Sequence, residues 1–264
     1  MSTTPKSPIG IFDSGIGGTS IWKEIAQLLP NEDTIYLADS KNAPYGDKSE
    51  EAIIELSIKN TEFLLANNCK LIVVACNTAT TNSIKYLREH YSVPFIGIEP
   101  AIKPASLKTK TKKIGILATK GTLNSRLFAK TSNNINEDII IIEQVGEGLV
   151  TLIENGALNS PEMTELLSHH LKKLTQHHID YLVLGCTHYP YLIPQIKEII
   201  GSRITIIDSG LAVAKQTQKI LEHNHLLTTK TSKGNHLFYT NTNLKTLAIA
   251  TKSYLNCTLK KLDF

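Results

Sequence analysis

The sequence predicts an α/β fold of two similar halves, each a mainly parallel sheet covered by helices. Three observations carry that expectation. Short apolar runs alternate along the chain with longer amphipathic stretches, as parallel strands do when helices join them. Several of those runs stop abruptly at Asp, Cys or Gly, and in such folds ligands bind at the carboxyl ends of strands. Two segments also recur. Ile9-Gly10-Ile11-Phe12 returns 105 positions later as Ile114-Gly115-Ile116-Leu117, and Val73-Val74-Ala75-Cys76-Asn77-Thr78 returns 110 positions later as Val183-Leu184-Gly185-Cys186-Thr187-His188. The near-equal offsets favour internal duplication over chance likeness between strands.

The elements come in order along the chain. Residues 9–12 read as a strand, followed by the loop Asp13-Ser14-Gly15-Ile16-Gly17-Gly18. Thr19 or Ser20 then caps a helix through Leu29 that Pro30 closes. Residues 35–38 form a second strand. Between 48 and 67, Ile53, Ile54, Leu56, Ile58, Phe63 and Leu64 fall at helical spacing. Strands over 71–75 and 94–98 come next. The series continues with strands over 114–118, 139–142, 181–184 and 204–207, and with helices over 163–174 and 211–221. The lysine-rich stretch 108–113 reads as a solvated linker ahead of the second half.

Composition narrows the class. Of 264 residues, 41% are hydrophobic and 20% charged, a globular balance that excludes a disordered or fibrous chain. No apolar run approaches the roughly 18 residues of a membrane helix, and the first residues lack an apolar signal core, so a cytoplasmic protein is expected. A net charge of +4 is too mild to imply a nucleic-acid partner. Four cysteines are too few for a disulfide scaffold and read as free thiols.

Two of those thiols hold the chemical interest. Cys76 and Cys186 each follow a buried-type strand on a turn of small polar residues, near an expected helix N-terminus that favours thiolate. Equivalent cysteines in a duplicated fold point to function, and three uses fit. Cys76, Cys186 and His188 would ligate a metal, but no Cys-x-x-Cys pair completes the set. A redox pair normally holds both thiols in one short motif. Two-base proton transfer needs one thiolate and one thiol on opposite faces of a carbon. The neighbours suit this last use: Asp13 could assist one cysteine and His188 the other. The glycine-rich loop after Asp13 lacks both the phosphate-loop ending and the dinucleotide spacing, and suits a substrate carboxylate. Pro44-Tyr45-Gly46 reads as a surface turn whose tyrosine could close over a ligand. Cys69 and Cys257 are assigned to packing or surface. His169, His170, His177 and His178 are expected to be solvated.

With these residues in view, the chain resembles the glutamate racemases, from Ile9 to about Ser209. The likeness rests on an ordered set: Phe12-Asp13-Ser14-Gly15-Ile16-Gly17-Gly18, Pro44-Tyr45-Gly46 with Lys48-Ser49, Ala75-Cys76-Asn77-Thr78-Ala79, Gly97-Ile98-Glu99-Pro100, Ala118-Thr119 with Gly121-Thr122, and Gly185-Cys186-Thr187-His188-Tyr189-Pro190. Related aspartate racemases usually place Glu after the second Cys-Thr, so Thr187-His188 favours glutamate. The resemblance implies an active site in a cleft between two domains, 1–98 plus 209–264 and 99–208. It implies a cofactor-independent, metal-free interconversion of L- and D-glutamate that supplies peptidoglycan synthesis. It assigns Cys76 to the D-enantiomer and Cys186 to the L-enantiomer, with Asp13 and His188 in support and Glu154 at a catalytic acidic position. It implies substrate contacts from Asp13, Ser14, Tyr45, Gly46, Asn77, Thr78, Thr187 and His188. The partner it implies is a small molecule, with neither membrane nor nucleic acid, and it allows a homodimer. The chain departs from the pattern at Glu143-Gln144-Val145-Gly146-Glu147, where many members carry an Ala-Cys-Pro-like segment.

Overall fold

The structure, a computed structural model, describes residues 3–264. β1 (Ile9–Asp13), β2 (Thr34–Ala38), β3 (Leu71–Val74) and β4 (Phe95–Gly97) lie parallel in the order β2-β1-β3-β4. β5 (Lys113–Ala118), β6 (Ile140–Val145), β7 (Tyr181–Gly185) and β8 (Thr205–Ile207) repeat that order in a second parallel sheet, β6-β5-β7-β8. The duplication expected from the recurring segments is therefore present in the topology. Two late strands, β9 (His236–Thr240) and β10 (Cys257–Lys261), return to the first sheet and extend it beyond β2. They have no counterpart in the second sheet.

Continuous apolar runs make these central strands because both faces are covered: β1, β2 and β3 are buried at every position. The covering helices are α1 (Thr19–Leu28), α2 (Glu50–Ala66), α3 (Asn77–His90), α4 (Ile102–Ser106), α5 (Lys120–Leu123), α6 (Arg126–Asn133), α7 (Leu149–Glu154), α8 (Pro161–Thr175), α9 (Ile193–Ile200), α10 (Gly210–His223) and α11 (Lys245–Thr251). Ser49 caps α2 by accepting from the Ala52 amide at 3.3 Å, with Glu50 and Glu51 in the positive first turn. Neither Thr19 nor Ser20 caps α1. Gly18 stands at that position without a side-chain cap, and the Thr19 hydroxyl donates back to the Ile16 carbonyl at 2.6 Å. α10 packs against α1, joining Val213 and Leu221 to the cluster that holds Trp22 and Ile25.

The lysine-rich stretch is the mostly exposed linker expected between the halves, and the Asp180 carboxylate tethers it by accepting from the Thr109 hydroxyl at 2.5 Å and the Lys110 amide at 2.6 Å. One other expectation is corrected. His169, His177 and His178 are exposed as expected, but His170 is buried, because it shares the inner face of α8 with Met163, Leu167, Leu171 and Leu174. Cys69 is buried and Cys257 half-buried. Among the described residues no helix is long and apolar enough to cross a membrane.

The strand order sets the site. In each sheet the chain leaves the central strand on one side and comes back on the other, which opens a crevice at the carboxyl ends of the two inner strands. Asp13 ends β1 and Cys76 lies two residues beyond β3; Ala118 ends β5 and Cys186 comes directly after β7. At the opposite end of the first sheet, a buried ion pair ties the strand entries together. Lys70, just before β3, donates to Glu32 at 2.6 Å and to the Pro5 carbonyl at 2.7 Å. The other Glu32 oxygen accepts from the Thr228 amide at 2.7 Å. The Glu32 and Lys70 side chains are 2% and 0% exposed, so removing one partner strands a buried charge. Glu32→Gln is therefore expected to lower unfolding stability by about 3–5 kcal/mol, measured by urea denaturation. The double variant Glu32→Leu with Lys70→Met should recover much of the loss, and an unchanged midpoint for Glu32→Gln would refute the assignment.

Candidate functional site

The two crevices face each other across a narrow cavity. Of the residues expected from sequence, Cys76, Cys186, Ser14, Tyr45, Gly46, Asn77, Thr78, Thr187 and His188 all line it. Asp13 and Glu154 lie behind that wall and act on it through hydrogen bonds. Pro44, Thr119 and Val150 also line the cavity and were not singled out as site residues. Thr119 had a signal, since it falls 105 positions after Ser14 in the duplicated pattern. Val150 had none, being one apolar residue of a helix.

Cys76 occupies the N-cap of α3, where its sulfur accepts from the Ala79 amide at 3.4 Å. Its thiol faces the Ser14 hydroxyl at 3.7 Å. Burial pushes this thiol well above the ordinary cysteine value, and the nearby Asp13 charge adds to the shift. Cys186 is placed differently. Its carbonyl accepts from the Tyr189 amide at 3.1 Å, and a 3₁₀ turn, Tyr189–Leu192, comes next instead of an α-helix. The helix N-terminus expected for both thiols thus exists only for Cys76. Cys186 has His188 instead, with Nδ1 3.8 Å from its sulfur.

His188 is the centre of a buried network. Its Nε2–H donates to Glu154 Oε1 at 2.6 Å. Glu154 also accepts from the Ile16 amide at 2.7 Å and the Ser40 hydroxyl at 2.8 Å. Burial alone would lower the His188 pKa, but the contacts with Cys186 and Glu154 outweigh it and hold the imidazole well above its usual range. Burial would raise Glu154, yet the bonds from His188, Ser40 and Ile16 bring it below the ordinary carboxylate value. Both shifts favour an imidazolium paired with a carboxylate, and the Gly17 amide lies 3.2 Å from the same His188 Nε2. Asp13 shifts the other way, raised chiefly by burial despite amide bonds from Gly15 and Gly18, both at 3.0 Å. Its second oxygen accepts from the Thr187 hydroxyl at 3.1 Å, a direct link between the two halves.

These bonds correct the reading of the glycine loop. Its donors do not wait for a substrate anion: Gly15 and Gly18 serve Asp13, and Ile16 serves Glu154. Tyr45 is buried, and its hydroxyl is taken by Asp39 at 2.5 Å and by Asn60 at 3.2 Å, so it is no surface turn. The free donor is elsewhere. Asn77 lines the cavity, and its buried side-chain nitrogen has no hydrogen-bond partner. Among the described residues no three His, Cys, Asp or Glu side chains are gathered closely enough to hold a metal ion.

The sequence pattern of the Asp/Glu/Hydantoin racemase family matches residues 9–217. The chain belongs to that family. A glutamate racemase of Ralstonia nicotianae is 45% identical over 87% of this chain and 83% of its own length. A solved glutamate racemase isoform of Bacillus anthracis superposes with a TM-score of 0.87 at 33% identity, covering 98% of each chain. The Escherichia coli glutamate racemase, solved with L-glutamate and the activator UDP-MurNAc-Ala, gives 0.85 at 31% identity over 97% of this chain and 98% of its own. Within the racemase family these matches put the chain among the glutamate racemases.

Two outcomes test the geometry of this racemase site. A Cβ at Gly17 would overlap the His188 ring, which cannot yield without leaving Glu154 or Cys186. Gly17→Ala is expected to lose about 100-fold or more in activity while far-UV circular dichroism stays unchanged. Parent-like activity would refute the close approach. His188 should also remain doubly protonated at pH 8, where an ordinary histidine with a pKa of about 6.5 is neutral. Nitrogen-15 NMR of labelled histidine reads this directly, and a His188 that titrates between pH 6 and 7 would refute the pairing.

Proposed function

We propose that the chain interconverts L- and D-glutamate without a cofactor, by proton transfer between Cα and two thiols on opposite faces of the substrate. One observation carries the reading: Cys76 and Cys186, at equivalent strand ends of a duplicated fold, line the same narrow cavity. The two sulfurs have unlike surroundings, as a poised acid–base pair requires. Cys76, buried with Asp13 nearby, holds its proton. Cys186 lies beside the His188 imidazolium, a donor suited to a sulfur that carries negative charge.

In that arrangement the Cys186 thiolate takes the α-proton of L-glutamate, and the electron pair passes into the substrate carboxylate. The Cys76 thiol returns a proton to the other face, giving D-glutamate with the two sulfurs' protonation exchanged. D-Glutamate is the substrate of that second form, with Cys76 as base. Carbanion character needs stabilisation in a water-poor site, and the unpartnered Asn77 amide with the Ser14, Thr78 and Thr187 hydroxyls supplies donors for carboxylates. Asp13, Glu154 and His188 position and charge the two thiols. The division into 1–98 with 209–264, and 99–208, lets the cleft open for exchange of substrate. A cytoplasmic enzyme of this kind supplies D-glutamate to peptidoglycan synthesis.

The deciding experiment is α-proton exchange by NMR in deuterated water with L-glutamate, D-glutamate or L-aspartate, with product chirality read in parallel. Exchange and inversion are expected for both glutamate enantiomers and not for aspartate. Cys76→Ser and Cys186→Ser should each lower racemisation by about 10³-fold or more with the fold retained. Near-parent turnover by either variant would overturn the two-thiol reading, and exchange on aspartate alone would overturn the substrate.

A further inference from the structure

The segment that leads from β6 into α7 is poorly anchored by its own side chains. It runs Val145-Gly146-Glu147-Gly148, with Gly148 left-handed at φ 79° and no side-chain cap on α7. Its backbone is held from outside. The Gly146 amide donates to the Ala118 carbonyl at 2.9 Å, and the Tyr189 hydroxyl donates to the Gly146 carbonyl at 3.1 Å. The remaining anchor is His170. Its Nε2–H donates to the Glu147 carbonyl at 3.0 Å, and its Nδ1 accepts from the Gln144 amide at 3.0 Å. The same Gln144 nitrogen donates to the Val145 carbonyl at 2.7 Å. The buried imidazole thus clasps both ends of the segment. Burial holds it below the ordinary histidine range, which suits a neutral ring that accepts at one nitrogen and donates at the other.

The clasp matters because of the helix that the segment starts. α7 carries Val150, part of the cavity wall, and Glu154, the partner of His188. The segment also lines an adjoining cavity of about 230 Å³, which shares Pro44, Gly46, Thr119 and Val150 with the reaction cavity. We infer that His170 is a positioning residue for racemisation: by fixing the Glu147 carbonyl and Gln144 it sets the start of α7, so that Val150 closes the cavity and Glu154 meets His188. The inference rests on the proposed glutamate reaction for its kinetic consequence, but not for its structural one.

The test compares the parent with His170→Phe, which keeps a ring in the core and removes both bonds, and with His170→Gln, which restores a donor toward Glu147. His170→Phe is expected to lower kcat by about 10- to 100-fold and to shift the His188 Nε2–H proton resonance, assigned by its loss in His188→Asn. His170→Gln should return kcat to within about threefold of the parent. If His170→Phe does not fold, Gln144→Met removes the Nδ1 donor from a half-buried position and carries the same two readouts. Kinetic constants within twofold of the parent with an unmoved resonance would overturn the inference. So would lost activity with an unmoved resonance. Should the parent itself fail to invert glutamate, the reaction reading fails, while the resonance still decides whether His170 positions Glu154.

Discussion

How closely the two halves approach is set by the loop after β1, which has no side chain at 15, 17 or 18. A Cβ on Gly15 would overlap the Glu154 carboxylate, and one on Gly18 would lie 2.6 Å from the Asp13 Cβ. Bare backbone lets the Ile16 amide reach Glu154 and leaves room for His188 against Gly17. Around that contact the remaining bridges fall into place: Asp13 to Thr187, the Ser20 hydroxyl to the Thr187 carbonyl at 2.9 Å, and the hydroxyls of Thr19 and Tyr191. Thr78 and Thr119, 2.8 Å apart, close the cavity on another side. Glycine is needed here for proximity rather than for a left-handed turn, since none of the three has a positive φ.

Duplication explains the two cysteine positions, and departures from it give them unlike ionisable neighbours. With residue 9 set against 114, Asp13 corresponds to Ala118; with Cys76 set against Cys186, Thr78 corresponds to His188. Each half therefore adds one ionisable group that the other lacks. Glu154 then decides how the buried charge divides. It takes the imidazolium of His188, while Asp13 is left with backbone amides and the Thr187 hydroxyl, and the two carboxylates shift in opposite directions. A symmetric skeleton with asymmetric charges suits a substrate whose two enantiomers share every bond but differ in the face that bears hydrogen.

The same division marks what the sequence could disclose. β1, β3, β5 and β7 are continuous apolar runs because helices cover both faces, and the chemistry begins where each run stops, so the cysteines and Asp13 were legible. β9 and β10 were not. β9 alternates between buried and half-buried residues, and β10, Cys257-Thr258-Leu259-Lys260-Lys261, is an exposed edge that offers no apolar run. His170 was misjudged because Lys172, Lys173 and His169 surround it in sequence, whereas the helical period places it inward. The glycine loop was recognised as a set of donors, but which anion they serve depends on Glu154, 138 residues away from Ile16 and carried by the other sheet's helices. Long-range partners of that kind leave no local trace.

The two ends of the first sheet carry opposite kinds of buried polarity. At the strand entries, Lys70, Glu32, the Pro5 carbonyl and the Thr228 amide satisfy one another, and burial there is compensated. At the strand exits it is not. Cys76 is driven above its ordinary value, Asp13 is raised, and the Asn77 amide nitrogen is buried without an acceptor. An unmet buried donor costs about 1–3 kcal/mol. A protein neighbour that satisfied Asn77 would recover that energy in the free enzyme and leave nothing for a ligand. A carboxylate that satisfied it would recover the same energy only on binding, which is how unmet polarity in a cavity favours an anionic occupant.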